Sequence, residues 1–145
     1  MIKFSSLRLG ELEVPEDKVV EMATHFLGFP ESHRYAILDD KRDARFKWLQ
    51  SLDEPSVSLP AVDPRVFFPD YRIFVKEDEL TNLGVARVAD LKVFVILTLG
   101  PKAGEMTANL QGPVLINPTK RIGRQLVLKD SKYSLKQPIF GEKQA

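Results

Sequence analysis

The apolar side chains of this chain fall in short, β-prone runs, each soon broken by a charged turn, a glycine or a proline. Ile2, Phe4, Leu7 and Leu9 precede Gly10, and Leu12 and Val14 follow it with polar residues between them. Successive strand side chains point to opposite faces, so this alternation predicts two strands joined near Gly10. Tyr35 to Leu38, Phe46 to Gln50 and Val57 to Val62 predict three more, separated by polar turns. Pro60 has no amide hydrogen, which places the third of these at a sheet edge or a bulge. The charged segment Asp39 to Arg45 reads as a solvated turn.

Leu91 to Leu99 is dense in Val, Ile, Phe and Leu and bounded by Asp90 and Gly100-Pro101. It is short for a helix and uniformly apolar, which predicts a central strand buried on both faces. Ala108 to Ile116 and Ile122 to Leu128 are predicted to pair through a turn at Asn117 to Lys120. Helix is expected only in Glu77 to Gly84, with acids in the first turn and glycine as the stop, and as one or two turns after Pro15, taking in Val19, Val20 and Met22. These runs predict an all-β, mainly antiparallel domain, a small β-barrel-like or sandwich fold with one or two short helices. A length of 145 residues suits one domain, expected over residues 1–138, with 139–145 a flexible tail.

Cysteine is absent, which removes disulfides, thiolate metal sites and a cysteine nucleophile, and fits a reducing cytoplasm. The first residues lack the continuous apolar segment of a signal peptide, so a cytoplasmic location is expected. Val93 to Leu99, the longest strongly apolar run, falls far below the roughly 18 to 20 residues of a membrane helix. Formal net charge is +1, but residues 120 to 145 hold seven basic side chains against two acids, and the first 119 hold 14 against 18. A mildly acidic body therefore carries a basic end.

No residue pattern announces catalysis. His25 and His33 stand alone, without the further ligands a zinc site needs. There is no Gly-x-Ser-x-Gly elbow, and Gly100-Pro101-Lys102-Ala103-Gly104 lacks the Lys-Ser/Thr ending of a phosphate loop. The pairs Asp39-Asp40 and Asp53-Glu54 read as solvated turn charges. No enzyme, metal or cofactor is expected. The basic end, with Tyr133 and Phe140, leaves a second reading, a nucleic-acid-binding β-barrel. Phe67-Phe68-Pro69-Asp70-Tyr71 has two readings: core aromatics around a turn, or an apolar anchor beside the acidic segment Lys76 to Glu79. The alternation around Trp48 places it in the core.

Several stretches together resemble the FliW family of flagellar assembly factors. They are Trp48-Leu49-Gln50-Ser51, a turn at Val62-Asp63-Pro64, Phe67 to Tyr71, Met106 to Leu110, Pro113, Ile116-Asn117-Pro118, Arg121, Gly123, Gln125 and Tyr133-Ser134. The order is kept from about Phe29 to Pro138. The chain departs from the family in Met22 to Phe29, where only Phe26 and Gly28-Phe29 fit a Phe-Pro-x-Gly-Ile-x-Gly-Phe pattern.

The resemblance implies a small cytoplasmic β-barrel-like protein, expected as a monomer, that binds flagellin and the dimeric RNA-binding repressor CsrA. Partner switching would then couple flagellin synthesis to its secretion. A basic RNA-binding surface on CsrA calls for an acidic dock, expected at Phe68, Asp70, Tyr71, Glu77, Asp78 and Glu79. Flagellin is expected on a face carrying Met106, Thr107, Asn109 and Asn117, whose amides suit backbone recognition.

Overall fold

The computed structural model describes residues 1–22, 32–102, 104–128 and 132–140. Among these described residues, eleven strands and two short α-helices follow in chain order. The strands are β1 (Ile2–Ser6), β2 (Gly10–Val14), β3 (Val19–Met22), β4 (Arg34–Asp39), β5 (Phe46–Ser51), β6 (Ser58–Val62), β7 (Lys92–Thr98), β8 (Thr107–Ala108), β9 (Val114–Asn117), β10 (Ile122–Gln125) and β11 (Gln137–Pro138). Helices α1 (Pro64–Phe67) and α2 (Glu77–Asn82) lie between β6 and β7. No helix among the described residues is long and apolar enough to cross a membrane.

Strands β7, β6, β5, β4, β3, β10 and β9 are neighbours in that order, and β9 pairs back onto β7, closing a barrel. Every pairing is antiparallel except β3 with β10. Strand β7 holds this closure together. Val62 and Ala61 of β6 lie along one edge, while β9 takes the first half of the other edge and β8 the second.

That position explains the unbroken apolar run. Phe94 and Ile96 point into the barrel with Val20, Met22, Tyr35, Leu49, Ala61, Val114 and Ile116. Val95 and Leu97 point outward onto a second cluster with Val62, Tyr71, Ala108 and Leu110. Val93 joins Val75, Leu83, Leu91 and Leu115 under α2. A strand covered on both faces keeps apolar residues at every position rather than alternating them. The β1–β2 hairpin forms a separate sheet laid over the outer face of β4, where Ile2, Phe4, Leu12 and Val14 meet Ala36 and Leu38. A buried polar link fastens it: Ser6 Oγ donates to Gln50 Oε1 at 2.7 Å, and Gln50 Nε2 donates to the Ser51 carbonyl at 2.9 Å.

The strands expected at 35–38, 46–50, 57–62 and 91–99 are present with small shifts of boundary. Pro60 opposes Trp48 of β5, and β6 pairs with β7 only at Ala61 and Val62, so Pro60 sits where the strand has a locally open edge.

Three expectations are corrected. After Pro15 only Glu16–Lys18 turns, as a 3-10 helix, and Val19–Met22 is strand β3. The alternate burial of Val20 and Met22 against exposed Glu21 has a strand period. Ala108 to Ile116 is not one strand: β8 ends at Ala108, and Pro113 precedes β9. Val62-Asp63-Pro64 begins a helix rather than a turn, since Asp63 Oδ1 accepts from the Arg65 amide at 3.0 Å and Pro64 takes the first helical position.

Packed structure also extends past residue 138. The Ile139 amide donates to the Met106 carbonyl at 3.2 Å, and Phe140 meets Phe67 edge to face at 5.9 Å. Residues 141–145 of the expected tail lie outside the described residues, as do His25 and positions 23–29 of the segment that departs from the family pattern.

Candidate partner-binding surfaces

Helix α2 presents its acids at its first turn, where the partial positive charge of the exposed amides favours them. Glu77 and Asp78 are exposed. Asp78 Oδ1 accepts from the Glu79 amide at 2.9 Å, and Thr81 Oγ1 donates to the Glu77 carbonyl at 3.0 Å. Leu80 and Leu83 turn inward. The helix stops at Gly84, whose φ of 77° lies in the left-handed region that a side chain disfavours. Asp70 is exposed in the preceding segment and lines the groove described below.

The other three expected contacts of the acidic dock sit differently. Glu79 is half-buried and paired with Arg124, Oε1 to Nε, at 3.0 Å. Phe68 is half-buried against the outer cluster. Tyr71 is a correction: it is 4% exposed, its hydroxyl donates to the Leu110 carbonyl at 2.7 Å, and its ring lies 4.6 Å from that of Tyr133. Burial and then the neighbouring Tyr133 push the Tyr71 hydroxyl well above the ordinary tyrosine range. The core reading of this aromatic cluster therefore holds for Tyr71, and the exposed acids of the expected dock are Asp70, Glu77 and Asp78.

Met106, Thr107 and Asn109 lie together around β8 and are half-buried. Met106 packs into the outer cluster, Thr107 sits between Thr98 and Pro138, and Asn109 Oδ1 accepts from the Gln111 amide at 3.0 Å. Asn117 does not join them. It is 4% exposed, donating from Nδ2 to the Leu83 carbonyl at 2.8 Å and accepting at Oδ1 from the amides of Thr119 and Lys120. Its amide is consumed by the fold, so the expectation of an exposed recognition group there is corrected.

Trp48 is half-buried on the outer face of β5, with Nε1 donating to Asp40 Oδ1 at 3.1 Å and the Arg8 guanidinium 5.5 Å from its ring. The aromatics of the basic end are likewise engaged, Tyr133 on Tyr71 and Phe140 on Phe67. Among the described residues no group of three or more His, Asp or Glu side chains is placed to hold a metal ion.

One surface feature joins residues singled out in the sequence, Asp70, Glu79 and Tyr133, to others that were not. A groove of about 1110 Å³ lies between residues 70–76 and 124–128, with Lys132 and Tyr133 also lining it. Phe74 and Val127, two of its lining residues, are 82% and 71% exposed. The sequence signal was present. Along Arg72-Ile73-Phe74-Val75-Lys76, Ile73 and Val75 alternate inward while Phe74 is left on the polar face.

The geometry defines a small closed β-barrel whose distinguishing features are outward surfaces: an acidic helix start and an open groove with apolar edges. A family model described as FliW protein matches residues 3–139. The chain is 37% identical to the flagellar assembly factor FliW of Caldanaerobacter subterraneus over 142 residues, covering 97% of this chain and 95% of the relative. It is 36% identical to the factor of that name from Treponema denticola, covering 92% and 90%. A crystal structure of the flagellar assembly factor FliW superposes with a TM-score of 0.89 at 31% identity, covering 98% of this chain and 99% of that one. The chain belongs to the FliW family, whose members' name supports a role in flagellar assembly.

Proposed function

We propose that this protein is a cytoplasmic flagellar assembly factor that binds flagellin and the translational repressor CsrA, and relieves CsrA repression of flagellin synthesis by exchanging one partner for the other. Family membership across nearly the whole chain is the observation that carries this reading. Mass action suffices for the exchange, because occupancy by flagellin removes the pool available to CsrA. No reaction is required of the protein.

The exposed acids support the CsrA half. Asp70, Glu77 and Asp78 face solvent near one another in sequence, and a basic RNA-binding surface would approach such a patch faster and dock on it in one orientation. Glu79 contributes less, since Arg124 already neutralises it.

Calorimetric titration of the monomer with flagellin and with CsrA, then of the preformed flagellin complex with CsrA, tests the reading. Saturable binding to each, with flagellin suppressing the CsrA signal, is the expected result. Heat from neither titration would reduce the protein to a shared fold.

A further inference from the structure

The groove differs in chemistry from the acidic helix start beside it. Among the described residues its charged lining is four cations, Arg72, Lys76, Arg124 and Lys132, against two acids, Asp70 and Glu79. Because Glu79 and Arg124 pair with each other at 3.0 Å, the balance presented outward by the remaining four is positive. Phe74 and Val127 add the large apolar surface, 82% and 71% exposed. A volume of about 1110 Å³ exceeds the roughly 300–1,000 Å³ of small-ligand pockets. Apolar anchors inside a charged rim are the pattern of a protein interface.

We infer that this groove seats an acidic, amphipathic segment of a protein partner, whose apolar side chains cover Phe74 and Val127 while its carboxylates meet Arg72, Lys76 and Lys132. The inference rests on the proposed function and assigns the groove to flagellin. A basic RNA-binding surface would meet like charge at those three positions, which costs affinity and directs CsrA to the exposed acids outside the groove, Glu77 and Asp78. Single-stranded nucleic acid fits less well, since the Tyr133 ring packs at a 47° tilt against Tyr71 and its hydroxyl accepts from the Arg72 amide at 2.8 Å, so the fold already engages both ring and hydroxyl.

The test is calorimetry of full-length wild type, Phe74→Asp and Lys76→Glu/Lys132→Glu, each against flagellin, CsrA and a single-stranded RNA oligomer. All three substituted side chains are exposed, and thermal melts check that the variants fold. Both variants should bind flagellin about tenfold more weakly or worse while holding CsrA within about twofold of wild type. Wild-type binding of flagellin with both variants unaffected would overturn the groove assignment and leave the partner switch standing. Loss of CsrA binding with flagellin retained would overturn it as well, by reversing the two sites. Saturable RNA binding abolished by Lys76→Glu/Lys132→Glu would replace it with a nucleic-acid site. A wild type that binds neither protein overturns the proposed function together with this inference.

Discussion

Asn117 at the end of β9 donates its side-chain Nδ2 to the carbonyl of Leu83 at 2.8 Å, tying the barrel to the end of α2. The same side chain accepts from the amides of Thr119 and Lys120 and so shapes the β9–β10 hairpin. Arg121 closes that hairpin in the left-handed region, φ 59°, with its amide donating to the Asn117 carbonyl at 2.8 Å. One buried amide therefore fixes a turn and a helix end together. Asn117→Ala leaves a buried carbonyl and two amides without that partner, and should cost about 2–4 kcal/mol. Urea unfolding of wild type and variant measures it, and a loss under about 0.5 kcal/mol would mean that water replaces the side chain.

Tyr71 offers a cleaner subtraction. Phenylalanine keeps the ring against Tyr133 and the outer cluster but removes the donor to Leu110. Tyr71→Phe should lose about 1–2 kcal/mol in the same unfolding measurement and leave the calorimetric affinity for either partner unchanged. A loss of binding without loss of stability would instead return Tyr71 to the partner surface.

Gly123 on β10 pairs with Met22 of β3 on one side and Ile116 of β9 on the other. A methyl group there would stand 2.9 Å from Met22 Sδ and 3.1 Å from both Ile116 Cγ1 and the Leu115 carbonyl oxygen. The Met22 sulfur can shift, whereas the paired strand β9 is held by its ladder with β7. Gly123→Ala should therefore destabilise by about 1–3 kcal/mol, read as a lower midpoint in a thermal melt. An unchanged midpoint would show that the barrel is loosely packed at this seam.

Asp53 sets a pH dependence. Burial alone would raise its carboxyl, but the amides of Arg34 and His33, at 2.9 and 2.7 Å, and the Arg34 guanidinium together hold it below the ordinary aspartate range. A depressed folded-state pKa contributes stability that is complete above the unfolded value of about 3.9 and is lost as pH falls through the folded one. Wild-type stability should thus decline on that acid limb, and Asp53→Asn should flatten it while lowering stability at neutral pH. Parallel denaturation curves from pH 7 down to about 3 test the sign; identical acid limbs would rule Asp53 out as a source.

The surfaces were less legible in the sequence than the strands. Glu77 and Asp78 could be placed at an exposed helix start because acids at the first turn and glycine at the stop are local signals. Tyr71 and Asn117 could not be sorted into interior or surface, since each side chain's partner, Leu110 or Leu83, lies far along the chain. Phe74 was readable in principle from the alternation between Arg72 and Lys76, but its significance depends on Val127 facing the same groove.

The sequence by itself determined the all-β character, the central place of Leu91 to Leu99 and the short helix ending at Gly84, because alternation, propensity and capping act over a few neighbouring residues. Its ordered motifs also determined the family. Only the tertiary structure decided that the sheet closes through β7 and β9, that β3 runs parallel to β10, and that the 70–76 and 124–128 segments enclose a groove. Those features rest on contacts between distant segments, whose pairing is chosen by how all the apolar faces are buried at once rather than by any one run of residues.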